Sequence, residues 1–368
     1  ETQAAVLDAL DGLPVAITTG TSSTSVVATM EGSADGPAIL LRGDMDALPL
    51  VEDTGLDFAS EIEGRMHACG HDAHTAMLAG ALRLLAERRS EWSGRVIAMF
   101  QPGEEGAHGA KHMIDEGLLA GPDGKQDPSI TKAFAVHVTP LAPSGWVVGR
   151  PGTQLASADE FFVTVQGAGG HGSMPHQSRD PIPVACEIVL ALQSAVTRRI
   201  DVFDPAVVSV GQVNAGTATN VIPPNARIAG TIRATSQATR TRAQDLVTSV
   251  AEGVAAAHGL RSEVEHRDGY SVTANNPAVV EVVSAIARQL LGNEAVFIPM
   301  PNPVMGAEDF GEVLDRVPGA MVFLGACPPD VAWTEAAPNH SNLMRIDEAA
   351  MATGMALHAS VALAHLGA

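Results

Sequence analysis

The sequence predicts an α/β body interrupted by an inserted segment of a different type. Three observations carry that expectation: short, continuously apolar runs alternate with a helical pattern, one middle stretch reads β-α-β-β-α-β, and the charge balance breaks at the edges of that stretch. At 368 residues the chain exceeds what one small core holds, so two domains, or one with a large insertion, are expected.

Taken in order, residues 38–41 are the first buried strand, an unbroken Ala-Ile-Leu-Leu run. Residues 73–89 place apolar side chains at helical spacing, and residues 95–100 and 134–138 are again apolar runs. Buried strands separated by helices mean α/β with a mostly parallel central sheet. Residues 160–166 alternate as a half-buried strand does, and residues 181–199 read as a helix. Strands at 207–213 and 227–234, a second helix at 239–258 and a short strand at 261–266 follow. That order is a split βαβ sandwich, a ferredoxin-like sheet of four strands with two helices on one face. Residues 321–324 return to the apolar type of strand. Boundaries near Ser157 and Asp268 give a body of residues 1–157 and 268–368 and an insert of 158–267.

The charge supports the same division. The chain carries 22 Lys and Arg against 42 Asp and Glu, a formal charge of -20. From Asp159 to Arg267 there are ten acids and nine arginines, net -1, whereas the rest of the chain is net -19. Such an excess of acid repels phosphate backbones and anionic lipid, so nucleic-acid and membrane-surface roles are excluded. Hydrophobic residues make up 46%, but every long apolar stretch is broken before the roughly 18 residues a membrane span needs. Three cysteines, Cys69, Cys186 and Cys327, cannot all pair within one chain, so a reducing, cytoplasmic setting is expected. Cys186, on an apolar helix face, and Cys327, after a strand, read as structural.

Chemistry concentrates after the apolar strands. Arg42-Gly43-Asp44-Met45-Asp46 is followed by His67-Ala68-Cys69-Gly70-His71-Asp72-Ala73-His74, then by Glu104-Glu105, His137 and His340. Thiolate, imidazole and carboxylate are the donors a borderline-soft divalent ion prefers, and the ends of strands are where open α/β sheets bind ligands. Cys69 and His71, two apart on a turn, can reach one ion. Adjacent acids at Glu104-Glu105 behind Pro-Gly would repel one another on burial unless a cation lies between them. The donors outnumber one four-coordinate site, so two ions are expected. His67, His74, His108, His112, His258, His266, His358 and His365 read as ordinary packed or solvated histidines.

These motifs resemble those of the dinuclear metallopeptidase and aminoacylase family that includes carboxypeptidase G, in its hippurate hydrolase and auxin-conjugate amidohydrolase branch. The matching stretches are RGDMDALP at 42–49, MHACGHDAHT at 66–75, FQPGEEG at 100–106, GGHGSMPH at 169–176, NVIP at 220–223, MGAEDF at 305–310 and PNHSN at 338–342. They run in family order across nearly the whole chain. The resemblance implies a metal-binding α/β domain interrupted by a lid through which the protein forms a homodimer or higher homo-oligomer. It implies Cys69, His71, Glu105, His137 and His340 as ligands of two divalent ions, Zn or Mn foremost, with Co and Ni also suited. Glu104 becomes the general base, and Asp44 and Asp46 become acids that orient ligands, or in the case of Asp44 cap a turn. In the lid, His171 resembles a histidine that stabilises the oxyanion, while Asn220 and Arg233 resemble residues that grip the substrate's free carboxylate. The implied reaction is hydrolysis of an N-acyl or N-aroyl amino acid, with a carboxypeptidase or dipeptidase activity on short peptides as the alternative. A non-catalytic metal-dependent binding protein is the rival from another class, and the intact Glu104 argues against it.

Overall fold

The structure is a computed structural model describing residues 1–292 and 296–367. It divides into two compact units, one of residues 1–154, 274–302 and 309–368, the other of residues 155–273 and 303–308.

In chain order the first unit begins with α1 (Thr2–Ala9), β1 (Ala16–Thr19), β2 (Val26–Glu31) and β3 (Ala38–Asp44). It continues with α2 (His71–Glu87), β4 (Arg95–Gln101), α3 (Gly109–Asp115), β5 (Ile130–Thr139) and β6 (Val147–Gly149). After β7 (Gly152–Leu155) come the elements of the second unit: β8 (Ala158–Gln166), β9 (Gly170–His171), α4 (Pro181–Arg199), β10 (Ala206–Ala215), β11 (Val221–Ile222), β12 (Asn225–Ala234), α5 (Gln237–Ala257) and β13 (Arg261–Tyr270). The chain then forms β14 (Thr273–Asn275), α6 (Pro277–Leu291), β15 (Phe297–Pro299), α7 (Gly311–Leu314), β16 (Gly319–Gly325) and α8 (Ala350–Leu366).

The large sheet of the first unit runs β1-β2-β4-β3-β5-β16-β6-β15. Its centre is parallel, with β3 beside β4 and β5, and β5 beside β16. Outside it, β1 and β2 pair antiparallel, β2 is antiparallel to β4, and β6 is antiparallel to β16 but parallel to the edge strand β15. The sheet is therefore mixed, parallel through its centre with antiparallel pairings on both sides. Short strands such as β1, exposed throughout, and three-residue β6 offer no apolar run from which to read them. Every residue of β3 is buried, Arg42 and Asp44 included. An apolar strand that ends in two buried charges requires partners for them.

Helix α2 buries Ala73, Met77, Leu78, Ala81, Leu82 and Leu85, a stripe at helical spacing. It packs against α8 closely enough that a Cβ on Gly354 would come 1.9 Å from Met77 Sδ, so a methyl there would require Met77 to move. This packing fixes the helix whose first residue is His71.

In the second unit the sheet order is β10-β12-β8-β13, antiparallel throughout. Phe161, Val163 and Val165 of β8 and Ile228 and Ile232 of β12 bury against Val184, Ile188, Leu192, Ala243 and Val247 of α4 and α5. Arg233 alternates to the opposite face, in register with Val207. Residues 303–308 join this unit because Ala156 N donates to the carbonyls of Val304 and Gly306 and Thr273 Oγ1 donates to Glu308 O. Cys327 is buried, but Cys186 is exposed because α4 turns Ile182, Cys186 and Leu190 outward. Among the described residues no helix is long and apolar enough to cross a membrane.

Candidate metal centre

The parallel strands β3, β4 and β5 end side by side, and the polar motifs follow each of them. Asp46 Oδ1 and Oδ2 accept from the backbone amides of Glu104 (3.1 Å) and Glu105 (2.9 Å), which ties the turn after β4 to the turn after β3. Gly70, at φ +83, closes the turn before α2, where a Cβ would lie 2.3 Å from Val138 Cγ2. Cys69 and His71 flank it, and both are buried.

His71 is held from two sides, with Nδ1 3.3 Å from Asp46 Oδ1 and Nε2 3.4 Å from Asp44 Oδ2. His137 donates Nδ1–H to the carbonyl of Val138 at 2.7 Å, which leaves Nε2 with its lone pair 3.4 Å from Cys69 Sγ. His340 brings Nε2 within 2.9 Å of Glu105 Oε1. Its backbone adopts φ +70, uncommon for a residue other than glycine, and its amide donates to Ala68 O at 2.7 Å.

Four groups of donor atoms result, the atoms of each lying within 4.8 Å of one another: Cys69 with His71 and His137, Cys69 with Glu105 and His340, His71 with Glu104 and Glu105, and Asp44 with His71 and His74. The five residues expected as ligands are thus brought together from four separate segments of the chain, with Glu104 beside them. His171, Asn220 and Arg233 lie in the other unit. There His171 pairs with Val221 across β9 and β11, its Nδ1 accepts from Ser173 N at 3.1 Å, and the Gly172 amide donates to Asn220 O at 2.8 Å.

The electrostatics of this unit call for a cation. Burial works against the charged form of His71, but Asp44 and Asp46 outweigh it and raise its pKa to about 9. Burial works to raise Asp44, yet the Arg42 guanidinium and the imidazoles of His71 and His74 hold it well below the ordinary carboxylate value. The hydrogen bond to Glu105 raises His340. One buried ligand atom, His71 Nε2, makes no hydrogen bond among the described residues. An imidazole nitrogen without a hydrogen bond, set among carboxylates and a thiol, fits a borderline-soft divalent ion.

Sequence reasoning set His74 among packed or solvated histidines, and the structure shows it packed, against Asp44 beside the cluster. His74 is completely buried; its Nε2 accepts from Val138 N at 2.8 Å, so Nδ1 carries the proton donated to Asp44 Oδ1 at 2.5 Å. Burial depresses its pKa to about 3 and keeps it neutral. The available signal was the three-residue spacing from His71, which puts both rings on one face of α2. Asp44 is no turn cap: it lies under Arg42 Nη1 at 2.6 Å. Arg42 Nε donates to Gln101 Oε1 at 3.0 Å, and Gln101 Nε2 donates to Asp309 Oδ1 at 2.6 Å.

The sequence profile of peptidase family M20/M25/M40 matches residues 40–364. The chain belongs to this family. As an M20 member it is a hydrolase of the peptidase and amidohydrolase class, a class that binds metal. The M20 relatives it resembles include thermostable carboxypeptidase 1 of Saccharolobus solfataricus, 37% identical over 92% of this chain and 84% of that protein. IAA-amino acid hydrolase ILR1-like 2 of Arabidopsis thaliana is 39% identical over 91% of this chain and 74% of that one. Among solved structures, the YxeP protein of Bacillus subtilis, described as a dinuclear metal binding peptidase from the M20 family, superposes with a TM-score of 0.83 at 31% identity, covering 99% of this chain and 92% of that chain.

Proposed function

We propose that this M20 enzyme is a two-cation amidohydrolase that cleaves the amide of an N-acyl or N-aroyl amino acid. The observation that carries the reading is the pair of donor triads sharing Cys69, one with His71 and His137 and one with Glu105 and His340, set beside the buried Glu104. These five residues would hold the cations. Zn and Mn lead, and Co and Ni also suit a mixed thiolate, imidazole and carboxylate set. When bound, such ions acidify a water and polarise a scissile carbonyl.

The remaining work falls to the chain's own groups. Glu104, its backbone fixed by Asp46, takes the proton of the attacking water and returns it to the leaving amine. His171 stabilises the oxyanion, and Asn220 and Arg233 grip the substrate's carboxylate; family resemblance supports these three roles. Resemblance likewise supports reading residues 158–267 as a lid through which copies associate. A thiol at Cys69 suits a reducing, cytoplasmic setting.

The carboxypeptidase relative favours a second reading, hydrolysis of short peptides by the same residues. Metal analysis of the purified protein with a panel of hippurate, N-acetyl amino acids and dipeptides separates the two. Glu104→Gln is expected to retain metal and lose about 10²-fold or more of kcat, the size of a general-base contribution. A wild type that binds no divalent metal, or full activity in the variant, overturns the mechanism.

A further inference from the structure

Three of the proposed ligands stand on segments far apart in the chain: Cys69 on the turn before α2, His137 near the end of β5, and His340 on the loop after β16. One side chain touches the backbone of two of these segments from the third. Asn339 Nδ2 lies 3.2 Å from the carbonyl of Cys69 and 3.3 Å from the carbonyl of Val138. Both neighbours are acceptors, so the amide nitrogen and not its oxygen must face them, and its two hydrogens match the two carbonyls one to one.

The Val138 carbonyl has a second duty, because it also accepts Nδ1–H of His137. Asn339 and His137 thus share one oxygen, and a carbonyl has two lone pairs for the two donors. The next residue, His340, sits in the left-handed region at φ +70 with its amide on Ala68 O. Two consecutive residues of this loop are therefore bonded to two consecutive carbonyls of the Cys69 turn, Ala68 and Cys69.

We infer that Asn339 is a positioning residue that sets the spacing of Cys69, His137 and His340 before any cation binds. It is not one of the proposed ligands. Its two hydrogen bonds hold three ligand-bearing segments together, and it acts on the cations only through the ligands it aligns. The inference rests on the metal-centre reading above.

The test uses the full-length protein stripped of metal. Its affinity for Co(II) is measured by competition with a chelator, followed by the thiolate-to-cobalt absorption that reports Cys69. Melting temperatures are recorded with and without the ion. Asn339→Ala deletes the clamp, and Asn339→Asp keeps its shape but turns an acceptor toward two carbonyls. Asn342→Ala, an exposed position on the same loop, is the control. Both Asn339 variants are expected to lose 10- to 100-fold in Co(II) affinity, the range for partners that orient ligands, with a smaller metal-induced rise in melting temperature. The control is expected to match the wild type. A merely structural residue would instead lower both melting temperatures equally and leave affinity unchanged, and that outcome overturns the inference. Wild-type protein that binds no Co(II) overturns the metal-centre reading and this inference together; tight wild-type binding with equally tight variants overturns this inference alone.

Discussion

Two buried histidines show what a single residue's surroundings decide. His74 and His358 are both fully buried, and burial lowers each pKa to about 3. His74 is satisfied at both nitrogens, by Asp44 and by the Val138 amide. His358, on α8 with its ring edge-on to Phe134, makes no hydrogen bond among the described residues. The sequence placed both with the packed or solvated histidines, and both are packed. It could not distinguish them, because the amide that meets His74 comes from a residue 64 positions away. His358 has a thermodynamic consequence. The unfolded chain protonates this imidazole below its ordinary value of 6.5, whereas the folded protein resists protonation down to about 3. Its contribution to stability is therefore unchanged above pH 6.5 and falls as the pH drops through that window, by about 1.4 kcal/mol per pH unit. Urea unfolding of wild type and His358→Leu at pH 7.5 and pH 5.0 measures it. The variant should gain about 2 kcal/mol on the wild type between the two conditions. An equal difference at both values would show that His358 does not resist protonation.

At the scale of elements, legibility followed the strength of each local pattern. Helix α4 is found at Pro181–Arg199, the span its periodicity predicted, with proline at its first turn and Asp180 accepting from Ile182 N. Strand β13 runs to Tyr270, four residues past its expected end, because pairing with β8 continues beyond the alternating stretch. Helix α8 had no comparable signal, since its sequence is apolar on nearly every side. That lack of a polar face suits a helix packed against α2, α6 and the sheet. The contact at Gly354 tests this packing. Gly354→Ala improves helix propensity by about 1 kcal/mol but drives a methyl into Met77, and overpacking costs about 1–3 kcal/mol. A net loss of about 1 kcal/mol, read as a fall of a few degrees in melting temperature, is expected. A rise would mean that Met77 yields freely and that α2 is not fixed by this contact.

Across the whole molecule, the formal charge of -20 is concentrated outside residues 159–267, and part of it is now placed. Asp44, Asp46, Glu104 and Glu105 converge on one cluster with four imidazoles and a thiol, where a bound cation's charge would offset theirs. The motifs made this convergence legible. The pairings that produce it were not, since β3, β4 and β5 come from separate parts of the chain and join only through long-range register. The near-neutral stretch contains nine arginines and no lysine, and the proposed function assigns one of them, Arg233, to the substrate's carboxylate. Arg233 lies on the sheet face opposite the helices. Its loss removes binding shared by ground and transition states, so KM should rise with little change in kcat. A hydrogen-bonded charge pair of about 1.5–3 kcal/mol corresponds to roughly 10- to 100-fold in KM. Steady-state kinetics of Arg233→Met on an N-acyl amino acid and on its methyl ester should show that rise for the free acid alone. Equal losses on both substrates would mean that Arg233 supports the sheet and does not meet the carboxylate.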